Sequence, residues 1–144
     1  MNTRTFALIF GIVFLIVGAG GFLTGVTLMP PHSHPDITID SFFGYALGRF
    51  AVNLLHNIVH LLFGVWGLLA YRSWSGAKTY ARAVAIIYAV LTIAGLIPGL
   101  DTMFGLVPLF GNDVWLHALL AAVAAYFGFV HRDVVSDTTV RDRT

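Results

Sequence analysis

The segment Asn53–Trp66 reads NLLHNIVHLLFGVW and places two amides and two imidazoles among residues that otherwise suit the interior of a lipid bilayer. On a helix that advances about 100° per residue, this polarity forms a stripe on one face. The residues that share the face are Arg49, Asn53, His56, Asn57, His60, Gly64 and Gly67. Because polar side chains are costly in a bilayer, the stripe is expected to face a bundle interior, a cavity or another chain, and it is a functional-site hypothesis by default.

The composition is that of a membrane protein: 58% of the 144 residues are hydrophobic and 10% are charged, and the mean hydropathy is +0.84. The net charge is +1, and no basic stripe accompanies it, so nucleic acid is not an expected partner. The chain has no cysteine, which excludes disulfides, thiolate metal sites and cysteine nucleophiles. The length predicts a single domain.

Hydropathy predicts an all-α, polytopic membrane protein with four transmembrane helices in a bundle. A span needs about 20 apolar residues, and Thr5–Met29 is an apolar run of 25, which is too long for the apolar core of a signal peptide. The predicted helices cover residues 5–29, 41–71, 80–97 and 113–131. They form a transmembrane domain over residues 1–131, and a polar cytoplasmic tail follows over 132–144.

Several features refine this arrangement. Gly11, Gly18 and Gly25 recur every seven residues and predict a helix-packing face. The second predicted helix is too long for a perpendicular span, so its first two turns are expected to project from the membrane or lie along it. Tyr88 in the third helix is expected to meet the polar stripe. The apolar but glycine- and proline-broken segment 100–112 is expected to cover one end of the bundle.

The distribution of cations predicts the orientation. Every arginine except Arg49 falls on one side of the predicted spans, and so does the single lysine. The other side holds Asp36, Asp40, Asp101 and Asp113. The positive-inside rule therefore places both termini in the cytoplasm of a bacterium, with the chain crossing the inner membrane several times.

The strongest candidate site combines the second and fourth helices. His56 and His60 are four residues apart, and so are Asp113 and His117, so each pair shares a helix face. Counting residues from the predicted membrane boundary puts His117 at nearly the depth of His56. If the two helices are neighbours, these histidines form one polar site in the outer half of the bundle, with Asp113, Arg49, Asn53 and Asn57 near its mouth.

The chemistry of this site has alternatives. Three imidazoles with an optional carboxylate from Asp113 could hold Zn, Cu or another divalent ion. A haem is the second possibility, with His56 or His60 opposite His117 as axial ligands and space beside Gly64 and Gly67. A zinc protease is excluded because the chain contains no glutamate to act as the general base of HExxH. The same histidines could also simply hydrogen-bond between helices. His32 and His34 form a separate, weak H-x-H metal candidate in a loop.

Two stretches, NLLHNIVHLLFGVWGLLA over residues 53–70 and GLVPLFGNDVWLHALLA over 105–121, resemble a bacterial family of small four-helix integral membrane proteins catalogued as a domain of unknown function. The resemblance covers most of Thr5–Val130 and excludes the loop with His32 and His34. It implies the four-span architecture and supplies no activity. The positions that it marks for testing are Asn53, His56, His60, Asp113, Trp115 and His117.

Three functional hypotheses follow. The first is a membrane protein whose histidine site binds a transition metal or haem in a non-hydrolytic role. The second is an accessory or structural subunit of a membrane complex, or a homo-oligomer, whose polar stripe packs against another chain. The third is a small transporter or proton path. An enzyme is not the favoured class, because the sequence does not define a reaction.

Overall fold

The computed structural model describes residues 1–23, 27–28 and 34–133, and it is mostly helical. The helices are α1 (Thr3–Gly20), α2 (Leu54–Ala70), α3 (Trp74–Ala94) and α4 (Asn112–Ala125), and α4 continues as a π-helical turn over Tyr126–Val130. The helices α1, α3 and α4 with its π-helical turn are long and apolar enough to cross a membrane, whereas α2 is apolar but has 17 residues. The predicted four-helix membrane fold is confirmed, and the crossing by α2 stays a prediction.

The helices pack as two close pairs. The helix α1 lies along α2, and α3 lies along α4, while α3 also contacts α1 and α2. Glycines allow the first pair to approach closely: a Cβ atom on Gly67 would lie 2.7 Å from the Cα of Gly11, and one on Gly18 would lie 2.9 Å from the carbonyl oxygen of Asn57. The predicted packing face is therefore confirmed for Gly11 and Gly18, and Gly25 lies outside the described residues.

The predicted first helix is too long at its C-terminal end. It was expected to reach Met29, but α1 ends at Gly20, with Gly21 as its C-cap. The sequence Gly18–Ala19–Gly20–Gly21 explains the end, because each glycine within a helix costs about 1 kcal/mol relative to alanine. The short strand β1 (Thr27–Leu28) follows instead.

The predicted second helix is wrong over residues 41–53. Here the chain forms strands β2 (Gly44–Ala46) and β3 (Phe50–Val52), which pair antiparallel in the order β1-β2-β3. Leu47 and Gly48 turn the hairpin with φ of 53° and 67°, a left-handed conformation that a helix does not contain. The helix α2 then starts at Leu54, and Asn53 is its N-cap.

The remaining helices agree more closely with prediction. The helix α3 starts at Trp74 rather than Tyr80, because the side chain of Ser73 caps it by accepting a hydrogen bond from the backbone nitrogen of Gly76. It ends at Ala94, before the predicted Ile97. The last helical segment, over residues 112–130, matches its prediction within one residue at each end.

The two ends of the bundle are built differently. At one end, segments 34–53 and 95–111 lie against each other, and the nitrogens of Thr38 and Ile39 both donate to the carbonyl oxygen of Gly105. This arrangement agrees with the expected cover. At the other end, the backbone nitrogen of Thr3 donates to Asp133, so the start and the end of the described chain meet. Between them lies a core of aromatic residues from α1, α3 and the π-helical turn, including Phe6, Phe14, Tyr80, Tyr88 and Phe127.

Candidate metal centre

Three buried histidines meet in the centre of the bundle. His56 and His60 stand one turn apart on α2, and His117 projects from α4. One ring nitrogen of each lies within 4.8 Å of the others. The helices α2 and α4 make little direct contact with each other, so their imidazoles meet across the bundle rather than along a helix interface. The structure thus brings the three predicted histidines together.

The histidine rings are enclosed by aromatic side chains. The ring centroids of His56 and His60 are 4.5 Å apart, and those of His56 and His117 are 6.0 Å apart. Phe14 of α1 stacks on His60 at 5.6 Å, and Tyr88 of α3 meets His117 edge-on at 5.0 Å. Tyr88 therefore contacts the histidine of α4, and its predicted contact with the polar stripe of the second helix stays a prediction. Phe14 had no signal in the sequence, because it is one apolar residue among many in α1.

The Nδ1 atom of each of the three rings is buried and has no hydrogen-bond partner among the described residues. A neutral imidazole carries one donor and one acceptor nitrogen. A buried polar atom without a partner costs about 1–3 kcal/mol. Three such atoms in one cluster are therefore an unfavourable arrangement for helix packing alone.

Asp113 lies next to the cluster but has its own partner. It is buried in the first turn of α4, and its Oδ2 accepts a hydrogen bond of 2.8 Å from the backbone nitrogen of Ala51 in β3. The group of convergent ligand atoms contains the histidines and not this carboxylate. Burial raises the pKa of Tyr45 in the neighbouring strand above its usual value, and the charge of Asp113 raises it further. Asp113 therefore ties the hairpin to α4.

The two asparagines of the stripe differ in their surroundings. Asn53 is fully buried, and its side-chain oxygen accepts from the backbone nitrogen of His56 at 3.0 Å. Its amide nitrogen donates to the carbonyl oxygens of Ile39 and Leu106 at 2.9 and 2.8 Å. Asn57 is also fully buried, but its amide faces Gly21 and has no partner among the described residues. Asn53 thus joins α2 to both loop segments.

The other predicted positions lie away from the cluster. Arg49 was expected on the face of α2, but it is exposed in the turn between β2 and β3, because the hairpin replaces the helix there. Trp115 is 72% exposed. His34 is exposed and packs its ring against Phe43, and His32 lies outside the described residues.

The predicted space for a haem beside Gly64 and Gly67 is filled by α1. A Cβ atom on Gly64 would lie 2.6 Å from the side chain of Leu15, and Gly67 contacts Gly11. The reason is that both glycines serve the close approach of α1 to α2.

A cavity of about 600 Å³ adjoins the histidines on the side of α1 and α4. Its walls are apolar residues of α1, of the β2–β3 hairpin and of α4, and its polar lining consists of His60, Asp113 and His117. Hydropathy alone gave no indication of it, because a cavity depends on how far apart two helices lie.

Residues 4–130 match the family model described as Domain of unknown function (DUF4383). This match covers most of the chain, so the chain belongs to that family, as the resemblance predicted. No curated protein matches the chain, and no solved structure matches it. Family membership therefore assigns no activity to this chain, and its function has to be inferred from the site itself.

Proposed function

We propose that this membrane protein binds one transition metal ion through His56, His60 and His117, in a non-hydrolytic role. The observation that carries the proposal is the convergence of three buried imidazoles, with one ring nitrogen of each within 4.8 Å of the others. Three nitrogens at about 2.1 Å from one ion would be about 3.4 Å apart. Side-chain movements that bring these nitrogens about 1.4 Å closer together would close the difference from 4.8 Å.

The donor set favours zinc or copper. Imidazole suits Zn, Cu, Fe and Ni, whereas Mg and Ca prefer carboxylate and carbonyl oxygens. Three histidines leave one coordination position for a further ligand. The carboxylate of Asp113 is held by Ala51, and the chain has no glutamate, so the site lacks a free general base for hydrolysis.

The geometry does not favour a haem. The ring centroid of His56 lies 4.5 Å from that of His60 and 6.0 Å from that of His117, which leaves no gap for a flat macrocycle between axial ligands. The space expected beside Gly64 and Gly67 is occupied by α1.

Two other hypotheses have less support. Asn53, His56, Asn57 and His60 are buried within the chain itself, so the polar stripe is not available to pack an accessory partner or a second copy. The described core beyond the histidines is aromatic and aliphatic, and it includes Phe14 and Tyr88. This composition gives little support to a polar path across the bundle.

The test is metal content and coordination. The protein would be purified in mild detergent, loaded separately with Zn(II) and Cu(I), dialysed and analysed by elemental mass spectrometry and X-ray absorption. We expect about one ion per chain with three imidazole ligands. His117→Gln should lower retention by at least about tenfold, whereas His34→Gln, which alters an exposed histidine, should retain the ion.

Two outcomes would refute the proposal. One is a folded wild-type protein that retains neither ion. The other is equal retention by wild type and His117→Gln, provided that both elute and melt alike, because the ion would then be bound elsewhere.

A further inference from the structure

The cavity beside the histidines opens toward the side of the bundle. It lies between α1 and α4, which make little direct contact with each other. Two of its α1 residues, Val13 and Ile16, are 44% and 66% exposed. In a membrane this face meets lipid, so a molecule dissolved in the bilayer reaches the cavity without crossing water.

The size and lining of the cavity are those of a small-molecule site. Ligand pockets have volumes of about 300–1,000 Å³ and combine apolar walls with a few convergent polar groups. This cavity has about 600 Å³, and its polar lining residues, His60, Asp113 and His117, come from α2 and the N-terminal half of α4. Phe10 and Phe14 contribute aromatic surface from α1. The lining therefore suits a ligand with an apolar body and one polar end.

The polar groups indicate an uncharged polar end. Asp113 lies in the first turn of α4, where the helix dipole favours a negative charge, and Ala51 donates a hydrogen bond to it. Its charge is thus already compensated and does not require a cationic ligand. No lysine or arginine is among the described residues that line the cavity, so an anionic end would find no cationic partner there. The imidazoles of His60 and His117 can each donate or accept a hydrogen bond.

We propose that this cavity binds an uncharged, lipid-soluble amphiphile that enters from the bilayer between α1 and α4 and hydrogen-bonds through its polar end to His60 or His117. A long-chain alcohol and an alkylated quinone share this chemistry. Binding of this ligand does not depend on a metal, because the chain alone supplies the apolar walls and the polar groups that orient the polar end.

The chain offers a matched pair of variants for the test. Ile12 and Val13 are adjacent in α1 and each is 44% exposed, but Val13 lines the cavity and Ile12 is not among its lining residues. The substitution Val13→Trp fills the cavity, and Ile12→Trp adds a ring on the neighbouring lipid-facing surface. Both variants would be checked for unchanged melting and unchanged zinc retention. A failure of the metal proposal can then be distinguished from a failure of the ligand proposal.

The experiment is photolabelling in phosphatidylcholine nanodiscs with a diazirine derivative of dodecanol, followed by peptide mass spectrometry, with metal-free and zinc-loaded protein. We expect saturable labelling of α1 and α4 peptides in both preparations, about tenfold weaker in Val13→Trp and unchanged in Ile12→Trp. Dodecanol and decyl-benzoquinone would be added as competitors. The stronger competitor identifies whether the ligand is an alcohol or a quinone. Dodecane, dodecanoate and dodecylamine should compete poorly.

Three results would overturn the proposal. Equal labelling of the two tryptophan variants would place the probe outside the cavity. Competition by dodecane as strong as that by dodecanol would reduce the cavity to a crevice for acyl chains. Preferential competition by dodecanoate or dodecylamine would show that the site selects a charged end.

Discussion

The rings of His56 on α2 and His117 on α4 lie with centroids 6.0 Å apart, although the two helices make little direct contact. The separation of these rings is set by the helices that pack on either side, α1 against α2 and α3 against α4. The candidate metal centre therefore depends on residues that are not ligands, and the most sensitive of them are the glycines between α1 and α2.

The first prediction concerns Gly67. An alanine Cβ there would lie 2.7 Å from the Cα of Gly11 and 2.9 Å from the carbonyl oxygen of Ala7, so backbone atoms must separate. We expect Gly67→Ala to destabilise the fold by about 1–3 kcal/mol and to weaken metal retention, because α2 shifts relative to α4. Leu62→Ala is the control, since Leu62 is 64% exposed on the same helix. Thermal unfolding in detergent would measure the loss of stability. Equal losses in Gly67→Ala and Leu62→Ala would contradict the prediction.

The second prediction concerns Asn53. The change Asn53→Asp keeps the oxygen that caps α2 but replaces the amide nitrogen, which donates to Ile39 and Leu106, with a second acceptor. Two buried carbonyls would then face an oxygen, and we expect a loss of about 2 kcal/mol or more in the free energy of unfolding. Asn112→Asp, at an exposed residue with one long hydrogen bond of 3.3 Å, should melt like the wild type. A melting temperature of Asn53→Asp within error of Asn112→Asp would exclude this role.

The histidine cluster and Asn53 illustrate what the sequence could and could not predict. Helical spacing and residue counts predicted the shared face of His56 and His60 and the depth of His117. The meeting of the three rings was predicted only on the condition that α2 and α4 are neighbours, and the two helices make little direct contact. The β2–β3 hairpin was not predictable, because residues 41–53 are mostly apolar, like the membrane helix that follows them. Asn53 also has the helical spacing of the polar stripe. The bonds by which Asn53 joins α2 to both loop segments depend on Ile39 and Leu106, which lie 14 and 53 residues away. The cavity, likewise, results from tertiary packing.

The third prediction concerns Lys78. This buried side chain donates through Nζ to the carbonyl oxygens of Phe127 and His131, at 2.9 and 2.7 Å. These carbonyls lie at the C-terminal end of the last helical segment, where a cation is favourable. We expect Lys78→Met to lower the free energy of unfolding by about 1–3 kcal/mol, because two carbonyls lose their donor. Urea or thermal unfolding would measure the loss, and the exposed Arg72→Met should leave stability unchanged.

The fourth prediction concerns orientation. Arg4 donates to the carbonyl oxygen of Tyr71, so the N-terminus and the α2–α3 turn lie at one end, and we propose that this end is cytoplasmic. The chain has no cysteine, which permits single-cysteine labelling with an impermeant maleimide. In intact bacterial cells, Asp36→Cys should be labelled, and Ser75→Cys should be labelled after permeabilisation only; both positions are exposed. The reverse pattern would invert the proposed topology.

The fifth prediction concerns the pH dependence of stability at Asp133. Its carboxylate accepts hydrogen bonds from the backbone nitrogen of Thr3 at 2.9 Å and from the indole of Trp74 at 2.8 Å. Burial alone would raise the pKa of Asp133, but these hydrogen bonds and the neighbouring His131 outweigh it and hold the pKa below its usual value.

A carboxyl group whose pKa is lower in the folded than in the unfolded state stabilises the fold above the unfolded pKa of about 3.9. This stabilisation of the fold by Asp133 is lost as the pH falls through the folded pKa. We therefore expect the melting temperature of the wild type to fall with acidification below about pH 4. Asp133→Asn should melt lower at neutral pH and respond less to acid, because the asparagine amide cannot titrate. Asp36→Asn, at an exposed aspartate, should keep the wild-type profile. If Asp133→Asn and wild type show the same acid response, Asp133 does not couple the two ends of the described chain through its charge.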